Sequence, residues 1–210
     1  ILNKAERISR IMGYIFCLMG KSSSGKDTIY QKLLQQKDLG LQRLVTGTTR
    51  PIREGEQNGE NYYFYTDQQF EQLCADGKII ESRSYHTIHG IWHYFTVADG
   101  QLDPADGDYL TINTLEAYLK LRDYFGAERL IPLYLEVDDG LRLQRALDRE
   151  RRQPEPKYKE MCRRFLADEE DFSEENLKRA QIQPIFENRV LEDTLKQLGA
   201  YIRSMKNGLD

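Results

Sequence analysis

The chain has 210 residues, 40% of them hydrophobic and 30% charged, a length that suits one sizeable core or one core with small appended lobes. A formal net charge of −4 argues against a nucleic-acid surface as the main function. No run approaches the roughly 18 apolar residues of a membrane span, and Ile1 to Met12 is too polar for the central region of a signal peptide; cytoplasm is the default expectation.

In chain order, the apolar run from Tyr14 to Met19 predicts a buried strand. It leads into Gly20-Lys21-Ser22-Ser23-Ser24-Gly25-Lys26-Asp27-Thr28, and Ile29, Leu33 and Leu34 then repeat at helical spacing. Strand, glycine-bracketed loop and helix are the context of a phosphate-binding P-loop. Glycines let backbone N–H groups turn inward, the helix N-terminus adds positive potential, and the lysine reaches the outer phosphates. The fit to G-x-x-x-x-G-K-[ST] departs at one place: Asp27 takes the hydroxyl slot, and Thr28 comes one residue late.

Gly40 is the expected stop of that helix, and Leu41 to Val45 the next strand. Residues 46–61 show no helical or strand period and read as an ordered loop; Tyr62 to Tyr65 is a short aromatic strand. Asp67 is the expected N-cap of a helix to Ala75. Ile79 to Tyr85 and Ile91 to Val97 are strands joined near His89-Gly90, so residues 46–97 read as a small, mostly β lobe. Beyond the turn-rich Asp103 to Asp108, strands at Tyr109 to Asn113, Leu130 to Val137 and Pro184 to Phe186 alternate with helices. These helices contain Leu115 to Tyr124, Leu141 to Leu147, Lys159 to Asp171 and Val190 to Met205, with Asp138 capping the second and Gln153-Pro154-Glu155-Pro156 breaking it from the third. Alternation of this kind predicts a parallel sheet with helical cover. Cys17, Cys74 and Cys162 have no C-x-x-C spacing and read as core thiols. His86, His89 and His93 crowd one segment but lack zinc-ligand spacing. Trp92, Tyr94 and Phe95 read as lobe core.

The stretch Thr48-Thr49-Arg50-x-x-Arg53-x-Gly55-Glu56-x-x-Gly59-x-x-Tyr62-x-Phe64 resembles the acceptor-binding motif of guanylate kinase at every fixed position, about twenty residues after the P-loop. Ile79-Ile80-Glu81, the pair Arg145 and Arg149, Arg164, and Asn188 extend the resemblance over most of the chain. Three places depart from the family, one of them the segment His89 to Thr96, which lacks the second glycine of the family's base-site segment. Where its core strand commonly ends Asp-x-Asp, this chain has Thr111 and Asn113, and Glu150 stands where a glycine usually follows the second arginine. In the segment His89 to Thr96, Thr96 stands for the family's threonine or serine, and Tyr94 or His93 for its phosphate-binding tyrosine.

The resemblance implies an α/β, P-loop NTPase-type three-layer fold with a central parallel sheet, an inserted small mostly-β acceptor-binding lobe (46–97) and a short helical lid (approximately 149–165), the core being 12–45 and 98–210. It implies ATP-dependent phosphoryl transfer to a nucleoside monophosphate, GMP first, with Mg2+, no nucleic-acid or membrane partner, and a monomeric or homodimeric state. ATP would be held by Gly20, Ser22, Ser23, Ser24, Gly25, Lys26, Asp27, Thr28 and Asn188. Thr46, Arg50, Arg53, Glu56, Tyr62, Glu81, Tyr94, Thr96 and Asn113 would hold the acceptor. Lys26, Arg145, Arg149 and Arg164 would act on the transferring group, with Thr28 and Asp27 toward the metal, the latter directly or through water. The chemistry agrees with these roles. Bidentate guanidinium groups suit an acceptor's own phosphate, a carboxylate such as Glu81 accepts from a base's N–H groups, and cations stabilise a spread negative transition state.

Two other readings are open on the sequence. Gly25-Lys26-Asp27-Thr28 resembles the P-loop variant of ribose 1,5-bisphosphate phosphokinases, although their acceptor loop lacks the full motif present here. A catalytically inactive guanylate-kinase-like binding module would tend to lose the P-loop lysine, which this chain keeps.

Overall fold

The computed structural model describes residues 13–53, 55–87, 90–99 and 107–208. The N-terminal segment read for a signal peptide, His89 and the turn at 103–106 lie outside them. Five parallel strands form the main sheet in the order β2 (Leu41–Arg43), β7 (Asp108–Ile112), β1 (Ile15–Gly20), β8 (Leu130–Glu136) and β9 (Ile185–Glu187). β1 is central, paired on one side with β7 (Ile15 opposite Tyr109) and on the other with β8 (Ile15 opposite Leu130).

Helices cover both faces, which is why every residue of β1 is buried and its sequence is continuously apolar. Ile15, Cys17 and Met19 face one core with Leu115, Tyr118 and Leu121 of α3 (Leu115–Phe125). Phe16 and Leu18 face the other, with Ile29 and Leu33 of α1 (Lys26–Gln35) and Leu198 and Ile202 of α7 (Leu191–Asn207). The period-2 alternation of one strand thus feeds two apolar layers. α1 ends at Gln35, and a single 3-10 turn, Lys37–Leu39, carries the chain to Gly40.

The second sheet has the order β4 (Tyr63–Phe64), β3 (Gly47–Thr48), β6 (Gly90–Val97) and β5 (Ile79–Thr87). β5 and β6 are antiparallel with a register shift between Ile79 and Glu81. The stretch 46–61 is therefore not loop throughout, because β3 pairs with both β4 and β6. A Cβ at Gly47 would lie 2.5 Å from the Phe95 ring, so only glycine lets this backbone pass the buried aromatic. Phe95 is core, as expected, whereas Trp92 and Tyr94 are half-buried. The helix α2 (Asp67–Ala75) is capped by Thr66, not Asp67: Thr66 accepts from the Gln69 N–H while the Gln69 side chain accepts from the Thr66 N–H. That reciprocal capping box satisfies two end donors at once.

Three further features depart from expectation. α4 (Asp139–Arg151) buries Arg142, Ala146 and Glu150 and exposes Leu141 and Leu143. Its inward face is charged because Arg142 meets the acids of α5 (Tyr158–Asp171) and the loop after β1, while Glu150 accepts from the Lys157 N–H. A short helix, α6 (Glu174–Arg179), comes after α5 with Ser173 as its cap and had no apolar period to announce it. Of the three cysteines only Cys17 is buried; Cys74 and Cys162 are exposed on amphipathic helices, so a helical position did not make them core thiols.

Candidate functional site

The loop from Gly20 to Gly25 leaves the carboxyl end of the central strand and turns directly into α1. Gly25 has φ 87 and Ser23 φ 65, both left-handed, a backbone sequence that curls N–H groups toward one concavity. A Cβ at Gly20 would sit 2.9 Å from the Leu135 carbonyl, and one at Gly25 would sit 2.7 Å from Nδ2 of Asn188. Asn188, at the end of β9, donates from that Nδ2 to the Ser24 carbonyl at 2.7 Å and accepts from the Thr194 hydroxyl. It braces the loop from behind. Hydroxyls of Ser23 and Ser24 are buried without a partner, polar atoms that a bound phosphate would satisfy. Lys26 donates a long 3.5 Å bond to the Lys21 carbonyl. Burial holds its pKa below the usual lysine value, against the opposing pull of Asp27 and Asp168. Asp27 and Thr28 are exposed on the first turn of α1, oxygen donors of the type a magnesium ion takes.

In the second sheet, Arg50 is 3% exposed. Glu56 grips it bidentately, both bonds 2.7 Å, and also accepts from the Arg53 N–H at 2.8 Å. Arg50 further lies 5.2 Å from the Tyr62 ring centre and 5.6 Å from that of Phe64. The Arg50 bond, chiefly, holds the Glu56 carboxyl below its ordinary range. Glu56 is thus a support for Arg50 and the loop backbone. Tyr94 packs edge-on to Tyr62, and Thr46 holds Tyr63 through its backbone carbonyl. The exposed Arg53 points into a cleft of about 390 Å³.

The register shift in β5 sets Glu81 opposite Thr96, as an extra residue in a strand re-aims its neighbour. Thr96 donates to Glu81 Oε1 at 2.8 Å, and both side chains are buried. Asn113 follows β7 and is 5% exposed; its amide donates to Thr111 Oγ1 at 3.3 Å and to Cys17 Sγ at 3.7 Å. Thr96 and Glu81 are thus joined directly, and Asn113 lies beside Cys17, on whose thiol Glu81 also acts.

Arg149 and Arg164 line the cleft together with Ser22, Ser23, Arg53 and Trp92. Arg164 is held by Glu160 at 2.9 Å, whose carboxyl is lowered to about 2 chiefly by its bond from Arg163, with Arg164 adding to the effect. Arg145 is half-buried on α4 and is not among the cleft-lining residues. Glu150 accepts from the Lys157 N–H, which closes the break between α4 and α5. Among the described residues no His, Cys, Asp or Glu side chains are grouped as three or more possible metal ligands; His93 bonds Ser84 and stacks on Phe70.

Sequence reasoning passed over the ionic cluster that docks α5 onto the loop. The Ser22 N–H donates to Asp168 at 2.7 Å, and Lys21 donates to Glu169 at 2.6 Å. Arg142, 1% exposed, binds Asp139, Glu169 and the Ser22 carbonyl, and lies 4.5 Å from the Phe165 ring centre. The available signal was the i, i+4, i+8 spacing of Arg142, Ala146 and Glu150 on one helix face, with the acidic run Asp168 to Asp171 later in the chain to meet Arg142.

Residues 13–91 match the guanylate kinase family model. A guanylate kinase of Bacillus subtilis is 41% identical over 73 residues, 35% of this chain and 36% of the relative. One from a Nostoc species is 43% identical over 75 residues, 36% of this chain and 37% of the relative. The matched sequence thus spans little more than a third of the length of these curated relatives. In structure the likeness is wider: a crystal structure of guanylate kinase from Anaplasma phagocytophilum superposes with a TM-score of 0.64 at 22% identity, covering 93% of this chain and 87% of that one. No helix among the described residues is long and apolar enough to cross a membrane.

Proposed function

We propose that the protein transfers the terminal phosphoryl group of ATP to GMP, giving GDP and ADP; residues 13–91 match the guanylate kinase family model, and the chain has the fold of a solved guanylate kinase. The observation that carries this reading is one cleft lined at once by the P-loop serines Ser22 and Ser23, by Arg53 of the second sheet, and by Arg149 and Arg164. Two phosphate-binding elements facing one space suit in-line transfer between two anions.

In this reading the P-loop N–H groups and Lys26 hold the ATP phosphates, and Asn188 keeps the loop in shape. Arg50 and Arg53, with Tyr62 and Tyr94, bind the phosphate of the acceptor, while Glu56 orients Arg50. Glu81, set by Thr96, and Asn113 accept from the base. Arg149 and Arg164 neutralise charge on the transferring group; Arg145, one turn from Arg149 on α4, supports it. The oxygen donors of Thr28 and Asp27 suit Mg2+, which supplies charge neutralisation when bound. Closure of the 46–97 lobe and of the 149–165 lid over the cleft excludes water, so that phosphate passes to the acceptor and not to solvent.

A coupled assay with GMP, dGMP, AMP, UMP and ribose 1,5-bisphosphate tests the reading. GMP should give the highest kcat/KM. Turnover of another acceptor in its place would overturn GMP specificity, and no turnover with ATP binding indifferent to Lys26→Ala would favour the inactive module.

A further inference from the structure

Three buried polar atoms without a hydrogen-bond partner lie around Cys17, midway along β1: Glu81 Oε2, Arg83 Nε and Asn113 Oδ1. Burial pushes the Cys17 thiol up to about 12, and Asn113, Arg83 and Glu81 all act on it, so the three groups share one neighbourhood. Two are acceptors and one is a donor. Leaving such atoms unpaired in the interior is costly, and native structures leave few of them.

Arg83 is held from two sides. Its Nη1 donates to Thr114 Oγ1 at 3.1 Å, and that oxygen also accepts from the Ala117 N–H as the cap of α3. Its Nε lies 3.3 Å from Glu81 Oε2 as an ion pair without forming a hydrogen bond. The guanidinium is thereby fixed to the core beside the carboxylate, while both facing atoms keep hydrogen-bonding capacity. Glu81 cannot turn to seek another donor, because Thr96 holds its other oxygen.

A donor beside an acceptor, with a second acceptor in the same neighbourhood, complements a base edge that presents a carbonyl, a ring N–H and an amino group. Guanine presents that set. Adenine instead places an amino group where the guanidinium requires an acceptor. We propose that Arg83 reads the carbonyl oxygen of guanine while Glu81 and Asn113 accept from its ring N–H and amino group, making Arg83 a specificity-determining residue. The inference rests on GMP as the acceptor. A site built to hydrogen-bond a ligand oxygen rejects an analogue that lacks a good acceptor there.

Calorimetric titration with GMP and with 6-thioguanosine monophosphate, whose sulfur is a weak acceptor, tests this on the wild type, Arg83→Met and Arg83→Lys. The wild type should bind GMP tighter by on the order of tenfold. In Arg83→Met the two dissociation constants should become nearly equal. Reading the ratio within each variant cancels any general weakening of the site. Arg83→Lys keeps a cation beside Glu81 but lacks the planar fork; its ratio should fall well below the wild-type value, and it serves if Arg83→Met does not fold. A wild-type ratio near one, or variants that keep the wild-type ratio, would overturn the role of Arg83 while leaving the kinase reading in place. A wild type that binds no GMP would remove the acceptor reading and this inference with it.

Discussion

The carboxylate of Asp168 accepts a 2.7 Å hydrogen bond from the backbone N–H of Ser22, so a helix far along the chain is docked on the Gly20–Gly25 loop by an acid. This charge also acts on Lys26. Asp168→Asn keeps an oxygen for the Ser22 N–H and removes the charge that would face a triphosphate. ATP should bind more tightly by roughly fivefold, the size of about 1 kcal/mol of Coulomb repulsion screened as by bulk water, as read by calorimetry. Unchanged affinity would place Asp168 outside the reach of the phosphates.

Arg142 collects the surrounding carboxylates. Arg142→Met leaves Asp139, Asp168 and Glu169 without the guanidinium they share. Loss of one partner from a buried pair costs about 3–5 kcal/mol; here the acids reach solvent in part, and a loss of about 2 kcal/mol is expected. Urea denaturation measures it, and a change below a few tenths would show the cluster to be energetically idle.

Lys26 should trade stability for activity. Burial lowers its pKa, so the folded state holds the proton less tightly than the unfolded chain. The resulting cost is full below the lowered pKa, shrinks as pH rises through it, and is gone above the ordinary value of 10.5. At neutral pH, Lys26→Met should melt no lower than wild type, while turnover with ATP and GMP falls by on the order of 100-fold or more. A marked drop in melting temperature would contradict this account.

Glu56 carries an acid-side pH dependence. Its pKa is lowered by the Arg50 bond first and the Arg53 N–H among the further causes. It therefore adds stability above the unfolded value of 4.5, and that share is lost as pH falls through the depressed folded value. Glu56→Gln should lack this part of the acid destabilisation, and at neutral pH its KM for GMP should rise by roughly tenfold as Arg50 loses its bidentate partner. Melting curves from pH 3 to 7 and steady-state kinetics check the two halves separately.

Gly25 and Asn188 should couple. Gly25→Ala meets Asn188 Nδ2 at 2.7 Å and keeps a φ of 87, for a combined cost of about 2–3 kcal/mol. Adding Asn188→Ala removes the clash but leaves the strained φ and an unpartnered Ser24 carbonyl. The double variant should thus be less destabilised than the sum of the singles, yet stay below wild type in a double-mutant cycle.

Much of the architecture was legible in local pattern. The unbroken apolar run of β1 announced a strand covered on both faces, and Gly20 and Gly25 announced the tight loop that turns from its end into α1. Helix boundaries at Gly126 and Asp138 were equally local, since caps act through neighbouring residues. The Thr66 cap and α6 were missed because competing caps differ by one position and a six-residue helix has no period to read.

The grouping of Arg50, Arg53, Glu56 and Tyr62 was determined by the sequence itself, because a short motif brings those residues together through nearby backbone alone. The contacts each one makes were decided by the tertiary structure. Glu56 turned out to grip Arg50, Thr96 to hold Glu81 across two strands, and Asn188 to reach back 164 positions to Ser24. Arg83 carries no mark in the chain that separates it from a solvated charge, and Arg142 only its i, i+4, i+8 spacing with Ala146 and Glu150. Their burial depends on acids and hydroxyls that only the packing of α5 and α3 against the sheet supplies, since a charge leaves water only where distant partners meet it.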